Sequence, residues 1–362
     1  MSQPVIEGSA PIPHEAIAAW AGRCLERLGM APADARLLAD SLVQASLWGI
    51  DSHGIGRLPH YMERLKRGSI EARPEIVVKE TGPATAQVHG GRGHGIIVAH
   101  RAAAVAAGLA RRSGVGAVGV SDSSHCGAMA LYTRPAARAG LVAIAFTHAD
   151  AMAAPFGGKR AFFGTNPIAI AFPRAGHEPA CLDMATSSIP FNRVINARRE
   201  GHPLPPDVAY DANGDPTTDA NAARALMPLG GAEYGYKGYG LALMIDLLCG
   251  PLNANPWGAT ISNMFTALDE PRRLGAFFIM LDPGRFAGGE TLAATVETVA
   301  RALAAEPGSP LMPGDPELRA EAERRARGIP VEPGLAAQMR DWTERLGVEG
   351  VEGLPAALEK GD

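Results

Sequence analysis

The sequence predicts a fold of alternating strands and helices with helical segments at both ends, and three observations carry that prediction. Apolar residues recur at helical spacing in two stretches before residue 50. Short apolar, β-type runs then alternate with helical stretches from about residue 76 to residue 171. Helical patterns return over 291–305 and 316–327. A length of 362 residues allows one large domain or two that share a cleft.

The opening pair of helices runs from Pro13 to Leu28 (Ile17, Trp20, Cys24, Leu28) and from Ala33 to Trp48 (Leu37, Leu38, Leu42, Leu47), parted by Gly29 and Pro32. Asp51 to Gly56 is a glycine-bearing turn. Pro59 suits the first turn of the next helix, where its missing N–H would have no partner anyway. Ile76–Lys79 and Ala86–His89 read as strands, and Gly90 to Gly95 leads into an alanine-rich helix, Ile96–Ser113. Gly116–Val120 and Val142–Phe146 are strands with a helix, Ala128–Ala139, between them, a rhythm that extends to about Ala171. Cys181–Met184 is a further strand. Asn196 to Ala223, rich in Pro, Asp, Asn and Gly, reads as an excursion of loops. Lys237–Leu248 reads as a buried apolar helix and Ala276–Leu281 as a strand, with a mixed, polar C-terminal tail that suits a last helix.

Composition narrows the function. Lysine and arginine total 34 against 38 acidic residues, a formal net charge of -4, so no basic footprint for nucleic acid exists. The N-terminus has neither a basic nor an apolar leader region, and the apolar runs at 140–146 and 240–249 are too short to span a bilayer. Cys24, Cys126, Cys181 and Cys249 lie far apart without a CxxC pair and read as isolated thiols. A cytoplasmic protein without a metal site is expected.

Four regions set polar residues among glycines. In Asp51-Ser-His-Gly-Ile-Gly-Arg57, followed by Tyr61, an imidazole that titrates near neutrality stands close to a guanidinium able to grip a carboxylate with two bonds. The same residues also suit a capped helix start. Ser123-Ser-His-Cys-Gly127 follows an apolar strand, a usual place for ligand groups, so His125 is an acid/base candidate. Its serines equally suit a phosphate at a helix N-terminus or a plain cap. Thr147-His-Ala-Asp150 is followed by Pro155–Gly158 and Gly164–Pro167, whose glycines suit close backbone approach to a ligand or simple turns. The fourth region pairs Leu182–Thr186 with Gly235–Gly240. Lys237, read as lying ahead of a buried helix, needs an anionic partner there: a ligand phosphate or carboxylate, or a protein aspartate.

Familiar signatures fail. The GxGxxG at Gly114–Gly119 follows a helix and enters a strand, the reverse of the Rossmann order, and P-loop, HExxH and GxSxG patterns are absent. His89, His94 and His100 read as helix-entry and surface residues. The residues alone therefore point to a cleft enzyme that uses His, Arg and Lys on an anionic substrate.

Six motifs in register resemble the malate/L-lactate dehydrogenase family of the second type, which is unrelated to the Rossmann-fold enzymes of those names. They are Ser-His-Gly-x-x-Arg (Ser52–Arg57), Ser-His-x-Gly (Ser124–Gly127), Pro-Phe-Gly-Gly, Gly-Thr-Asn-Pro, Asp-Met-Ala-Thr (Asp183–Thr186) and Lys-Gly-Tyr-Gly (Lys237–Gly240). The resemblance covers roughly Pro13 to Leu281, more weakly to Pro330. It implies an α+β fold whose non-Rossmann NAD(P)-binding domain is built on a largely antiparallel sheet, replacing the simple alternating picture, with a helical substrate and dimerisation domain. It divides the chain into a helical part over 1–75 that packs with a C-terminal helical part over 282–362, and a central cofactor-binding part over 76–281. It implies a homodimer, NAD or NADP as cofactor with NAD favoured, and a small 2-oxo or 2-hydroxy acid as substrate.

Carried over by position, His53 and His125 are the acid/base candidates and Ser52, Arg57 and Tyr61 the substrate-side residues. Ser124, His148, Asp183, Met184, Ala185, Lys237, Gly314 and Asp315 are the cofactor-side residues. Ala149 departs from some relatives, which carry a serine there. Residues 140–170 are most similar to ureidoglycolate dehydrogenases, whereas Gly230–Gly235 departs from that subgroup. The implied chemistry is hydride transfer at C2, with Arg57 on the carboxylate and a histidine taking the hydroxyl proton. His125, oriented by Asp150, is preferred over His53 for that proton. The rival readings are a ureidoglycolate dehydrogenase, a reductase of cyclic 2-imino acids and, outside enzymes, a small-anion binding protein.

Overall fold

The computed structural model describes residues 8–355. The chain begins with β1 (Ala10–Ile12), α1 (His14–Arg27), α2 (Pro32–Leu47) and, after two 3-10 turns, α3 (Leu58–Arg67). Next come β2 (Val77–Gly82), β3 (Thr85–His89), α4 (Gly95–Ser113), β4 (Val115–Ser123), α5 (Ala130–Arg138), β5 (Val142–Thr147), β6 (Ile168–Phe172) and β7 (Ala180–Met184). They are followed by α6 (Phe191–Glu200), β8 (Ala209–Tyr210), β9 (Ala225–Leu226), α7 (Gly231–Cys249) and β10 (Leu274–Leu281). The last elements are α8 (Gly289–Ala305), α9 (Asp315–Arg327), β11 (Ile329–Val331) and α10 (Pro333–Leu346). Two compact units result: residues up to Pro74 together with those from Val299, and Glu75–Thr298.

In the first unit the helical spacing of α1 buries Ile17, Trp20 and Cys24. Strand β1 pairs antiparallel with β11, which joins the two ends of the chain. Buried indoles complete the tie: Trp20 Nε1 donates to Thr343 Oγ1 and Trp48 Nε1 to Glu321 Oε2, each at 2.9 Å. Each supplies the partner that a buried indole N–H requires.

The second unit is built on a seven-stranded sheet in the order β2-β3-β4-β10-β5-β6-β7. Only β3 and β4 run parallel, joined by α4; every other neighbouring pair is antiparallel. The strand–helix–strand rhythm from β3 to β5 is present, yet β4 and β5 are not neighbours. Strand β10, more than a hundred residues downstream, lies between them and pairs with both. The rhythm stops at β5, because 148–167 is irregular and β6 returns antiparallel to β5.

Side-chain alternation sorts the two faces of this sheet. Phe146 packs with Ile144, Ile168, Phe277 and Ile279 against Ile245 and Cys249 of α7. On the opposite face Phe278 meets Tyr132 of α5 edge-on, with ring centroids 5.6 Å apart. Alanines 143, 145, 169 and 171 are buried beside it, short enough to let a helix lie close.

Three expectations need correction. The glycines of the misplaced GxGxxG serve packing: a Cβ on Gly116 would stand 2.1 Å from the Ala106 carbonyl oxygen of α4, and one on Gly119 would stand 1.8 Å from Asn253 Oδ1. The first correction concerns 196–223: its first residues, to Glu200, belong to α6, while 201–223 is the expected loop excursion apart from β8, and it packs Leu204, Val208, Ala209 and Ala220 with Val194 around Phe163 and Ala242. Second, α7 starts at Gly231, so Lys237 lies within the helix and is exposed. Its glycines are a packing device, since a Cβ on Gly238 would approach the Leu229 backbone to 2.4 Å. The outer side of α7 leaves Leu241, Met244 and Leu247 exposed instead of buried. Third, His100 is part-buried against Tyr132 at 5.0 Å, not on the surface, whereas His94 does cap the start of α4.

Candidate active site

In the first unit the two 3-10 turns, Asp51–His53 and Ile55–Arg57, gather the first motif. Gly54 between them lies so close to α2 that a Cβ would stand 2.1 Å from Ser46 Oγ, which instead accepts the Ile55 amide at 2.9 Å. Any larger residue would push the turn off the helix. Asp51 does not cap; it holds Arg324 of α9 with two bonds of 2.6 and 2.9 Å. Ser52 Oγ is 2.8 Å from His53 Nδ1, and Arg57 Nε donates to the Ser52 carbonyl, folding the guanidinium back over the turn.

The electrostatics follow from this closeness. Burial, and then the charge of Arg57, push His53 down to about 3, so its imidazole is neutral at physiological pH. Burial also lowers Arg57, and the neighbouring Tyr61 opposes that shift. Tyr61 itself is 1% exposed on α3. Gly314 caps α9 in the left-handed region (φ 102°), and Asp315 Oδ2 accepts the Met312 amide at 3.1 Å.

In the second unit the loop between β4 and α5 carries His125. Ser124 Oγ accepts the Gly95 amide at 2.8 Å, so its hydroxyl serves the head of α4. A Cβ on Gly95 would lie 2.2 Å from the Ser124 carbonyl oxygen and 2.5 Å from the His125 carbonyl, which explains the last glycine of the Gly90–Gly95 run. The Gly127 amide donates to His125 Nδ1 at 3.2 Å. An amide can only donate, so Nδ1 is unprotonated and the ring proton sits on Nε2. Asp183, at the end of β7, accepts the Ala130 amide at 2.8 Å at the start of α5, and Met184 and Ala185 follow it, all three part-buried.

One sequence expectation fails here. Asp150 does not orient His125: its carboxylate binds Arg272 in a pair buried on both sides, and accepts from Asn263 Nδ2 (3.2 Å) and the Met264 amide (3.1 Å). The His148 side chain is 0% exposed and is taken up by partners inside the protein. Its Nε2 accepts the Gly275 amide at 2.8 Å while Nδ1 faces Asp246 Oδ1 at 3.5 Å, which ties β10 to α7. Sequence reading missed Arg272 and Asp246 because neither stands at a fixed spacing from its partner. A carboxylate in an apolar run, such as Asp246 within α7, was the one available signal that a buried partner existed.

The family model described as malate/L-lactate dehydrogenase matches residues 12–340. The chain belongs to that family. It is an NAD(P)-dependent dehydrogenase acting on a CH–OH group, in a family that works on small carboxylates. Among its relatives, the ureidoglycolate dehydrogenase (NAD+) of Escherichia coli O157:H7 is 38% identical over 262 residues, 72% of this chain and 74% of that protein. The (2R)-3-sulfolactate dehydrogenase (NADP+) of Chromohalobacter salexigens is 35% identical over 310 residues, 85% of this chain and 90% of that one. The solved malate dehydrogenase of Pyrococcus horikoshii OT3 superposes with a TM-score of 0.87 at 30% identity, covering 96% of this chain and 99% of that one. The mostly antiparallel sheet is the fold expected of this family.

The donor set of the second unit fits a nicotinamide dinucleotide. The Lys237 ammonium is exposed, near the rings of Tyr234 and Tyr236 at 5.5 and 5.8 Å and without a carboxylate partner among the described residues. A phosphate suits such a cation. Asp183 and Met184 end an edge strand of the sheet and Ala185 follows it, where a carboxylate acceptor suits a ribose hydroxyl.

Proposed function

We propose that the protein interconverts a small 2-hydroxy acid and its 2-oxo acid, with NAD favoured over NADP. The observation that carries this reading is the Ser52–His53–Arg57 turn, where a neutral imidazole stands beside a fixed guanidinium. Arg57 holds the substrate carboxylate with its forked N–H groups, helped by Ser52 and Tyr61. A bound nicotinamide supplies the hydride acceptor or donor. His53 takes the hydroxyl proton at Nε2 as the carbonyl forms, while its Nδ1–H donates to Ser52 Oγ.

His125 is assigned the other task. With its proton on Nε2 and Nδ1 engaged by Gly127, it donates through Nε2–H to the substrate oxygen, polarising the carbonyl. This reverses the sequence preference for His125 as the proton carrier, which leaned on Asp150. Asp183, Met184, Ala185 and Lys237 hold the cofactor. A cytoplasmic homodimer goes with this reading. The exposed Leu241, Met244 and Leu247 of α7 support it as a surface that a second copy would cover.

A substrate panel with both cofactors tests the proposal. Malate, lactate, ureidoglycolate and 3-sulfolactate are offered for oxidation, and a cyclic 2-imino acid for reduction, while nicotinamide absorbance is followed. Turnover of at least one 2-hydroxy acid is expected. Turnover of the imine alone would overturn the substrate class, and carboxylate binding without any turnover would make the protein an anion binder.

A further inference from the structure

The loop that presents His125 is anchored at every residue. Ser124 is fixed by the Gly95 amide, the His125 ring by the Gly127 amide, and the start of α5 by Asp183. Cys126, directly after His125, is held differently: its carbonyl accepts the phenolic hydroxyl of Tyr132. Tyr132 lies on α5 and is 2% exposed. Its ring packs edge-on against Phe278 and His100, with centroids 5.6 and 5.0 Å away.

Packing alone does not call for a tyrosine here, since a phenylalanine ring would fill the same space. A hydroxyl buried among apolar groups is costly unless it is bonded, so its presence marks the bond it makes. That bond fixes the plane of the Cys126–Gly127 peptide, the same unit whose N–H donates to the His125 ring. Because the ring is also tied to the Gly127 amide, turning that plane would swing the imidazole.

We infer that Tyr132 is a positioning residue for the reaction: through the Cys126 carbonyl it sets the direction in which His125 presents its Nε2–H. The inference rests on the reading of His125 as the donor to the substrate oxygen. Small misplacements of a reacting group cost up to about a hundredfold in rate, whereas binding contacts elsewhere are untouched. The effect should therefore fall on kcat and not on KM.

The test is a double-mutant cycle on the full-length enzyme with NAD+ and whichever of malate, lactate, ureidoglycolate or 3-sulfolactate is turned over fastest. His125→Asn should lower kcat on the order of a hundredfold. Tyr132→Phe should lower it about tenfold, with KM and cofactor Kd within about twofold. The double variant should be no slower than His125→Asn, because Tyr132 acts through that ring. Thr133→Val removes an equally buried hydroxyl from the same helix, one that faces Cys181 Sγ at 3.7 Å, and should keep kcat. Full activity of Tyr132→Phe would overturn the inference. So would an undiminished Tyr132→Phe effect in the His125→Asn background, or an equal loss in Thr133→Val, since either means general loosening of α5. If His125→Asn itself keeps kcat, the donor reading of His125 fails first and the positioning role falls with it.

Discussion

The Gly127 amide donates to Nδ1 of His125 across 3.2 Å, whereas Nδ1 of His53 faces the hydroxyl of Ser52 at 2.8 Å. The difference is chemical. An amide forces its partner nitrogen to stay unprotonated, but a serine hydroxyl can donate or accept and so tolerates both states of its imidazole. Protonating His125 on both nitrogens means breaking the Gly127 bond.

The first prediction follows for oxidation, in which the base must be unprotonated. Activity falls as pH drops through the pKa of His53. In the free enzyme that pKa is depressed to about 3, with the Arg57 charge one of its two causes. A substrate carboxylate on Arg57 cancels that cause, so the acid limb of kcat should lie at higher pH than the acid limb of kcat/KM. His53→Asn should lose about a hundredfold or more in turnover together with the limb. His125→Asn should keep the limb while turning over slowly. A His125→Asn profile without the limb would return the proton to His125.

Arg57 is predicted to bind substrate and not cofactor. Arg57→Lys retains charge but loses the bidentate fork, and should raise KM for the acid about tenfold, with cofactor Kd unchanged by calorimetry. Arg57→Gln should also raise the His53 pKa, read by NMR titration, because the positive charge that opposes its protonation is gone. A fall in cofactor affinity with intact substrate KM would place Arg57 on the other ligand.

Asp150 is predicted to be structural. Removing one member of a buried ion pair strands the other charge, so Asp150→Ala should cost about 3–5 kcal/mol in urea unfolding. Any folded fraction should keep the wild-type pH profile. A stable variant with a lost acid limb would restore the sequence reading of Asp150 as a catalytic residue.

Stability is predicted to fall on acidification. Burial depresses His100 to about 4 and His53 to about 3, so each is neutral in the folded state while the unfolded chain takes up a proton near its ordinary value of 6.5. Their neutral-state stability is present above about pH 6.5 and lost as pH drops toward about 4 for His100 and about 3 for His53, by at most about 1.4 kcal/mol per pH unit for each histidine. Urea midpoints at pH 7 and pH 5 measure this. His100→Gln should flatten the dependence; an unchanged slope would mean that His100 is charged in the folded protein.

Much of the secondary structure was legible from the chain. Helical spacing placed α1, α2 and α4, and apolar runs placed β4 and β5, because local pattern and burial agree there. The glycine-rich start of α7 was not legible. Glycine is a poor helix former, and only the Leu229 backbone lying against Gly238 shows why glycines are needed in that helix.

The candidate site divides the same way. The sequence by itself determined the residue types, the six motifs and, through their order, the family and its class of reaction. It could not show that Asp150 belongs to Arg272, that His148 belongs to Gly275 and Asp246, or that Tyr132 holds the loop beside His125. Nor could it place β10 between β4 and β5. Local structure follows from spacing along the chain, because neighbours in sequence share one helix face or one strand. Proton positions and ion pairs depend on which distant groups come within about 3 Å, and only folding brings those groups together.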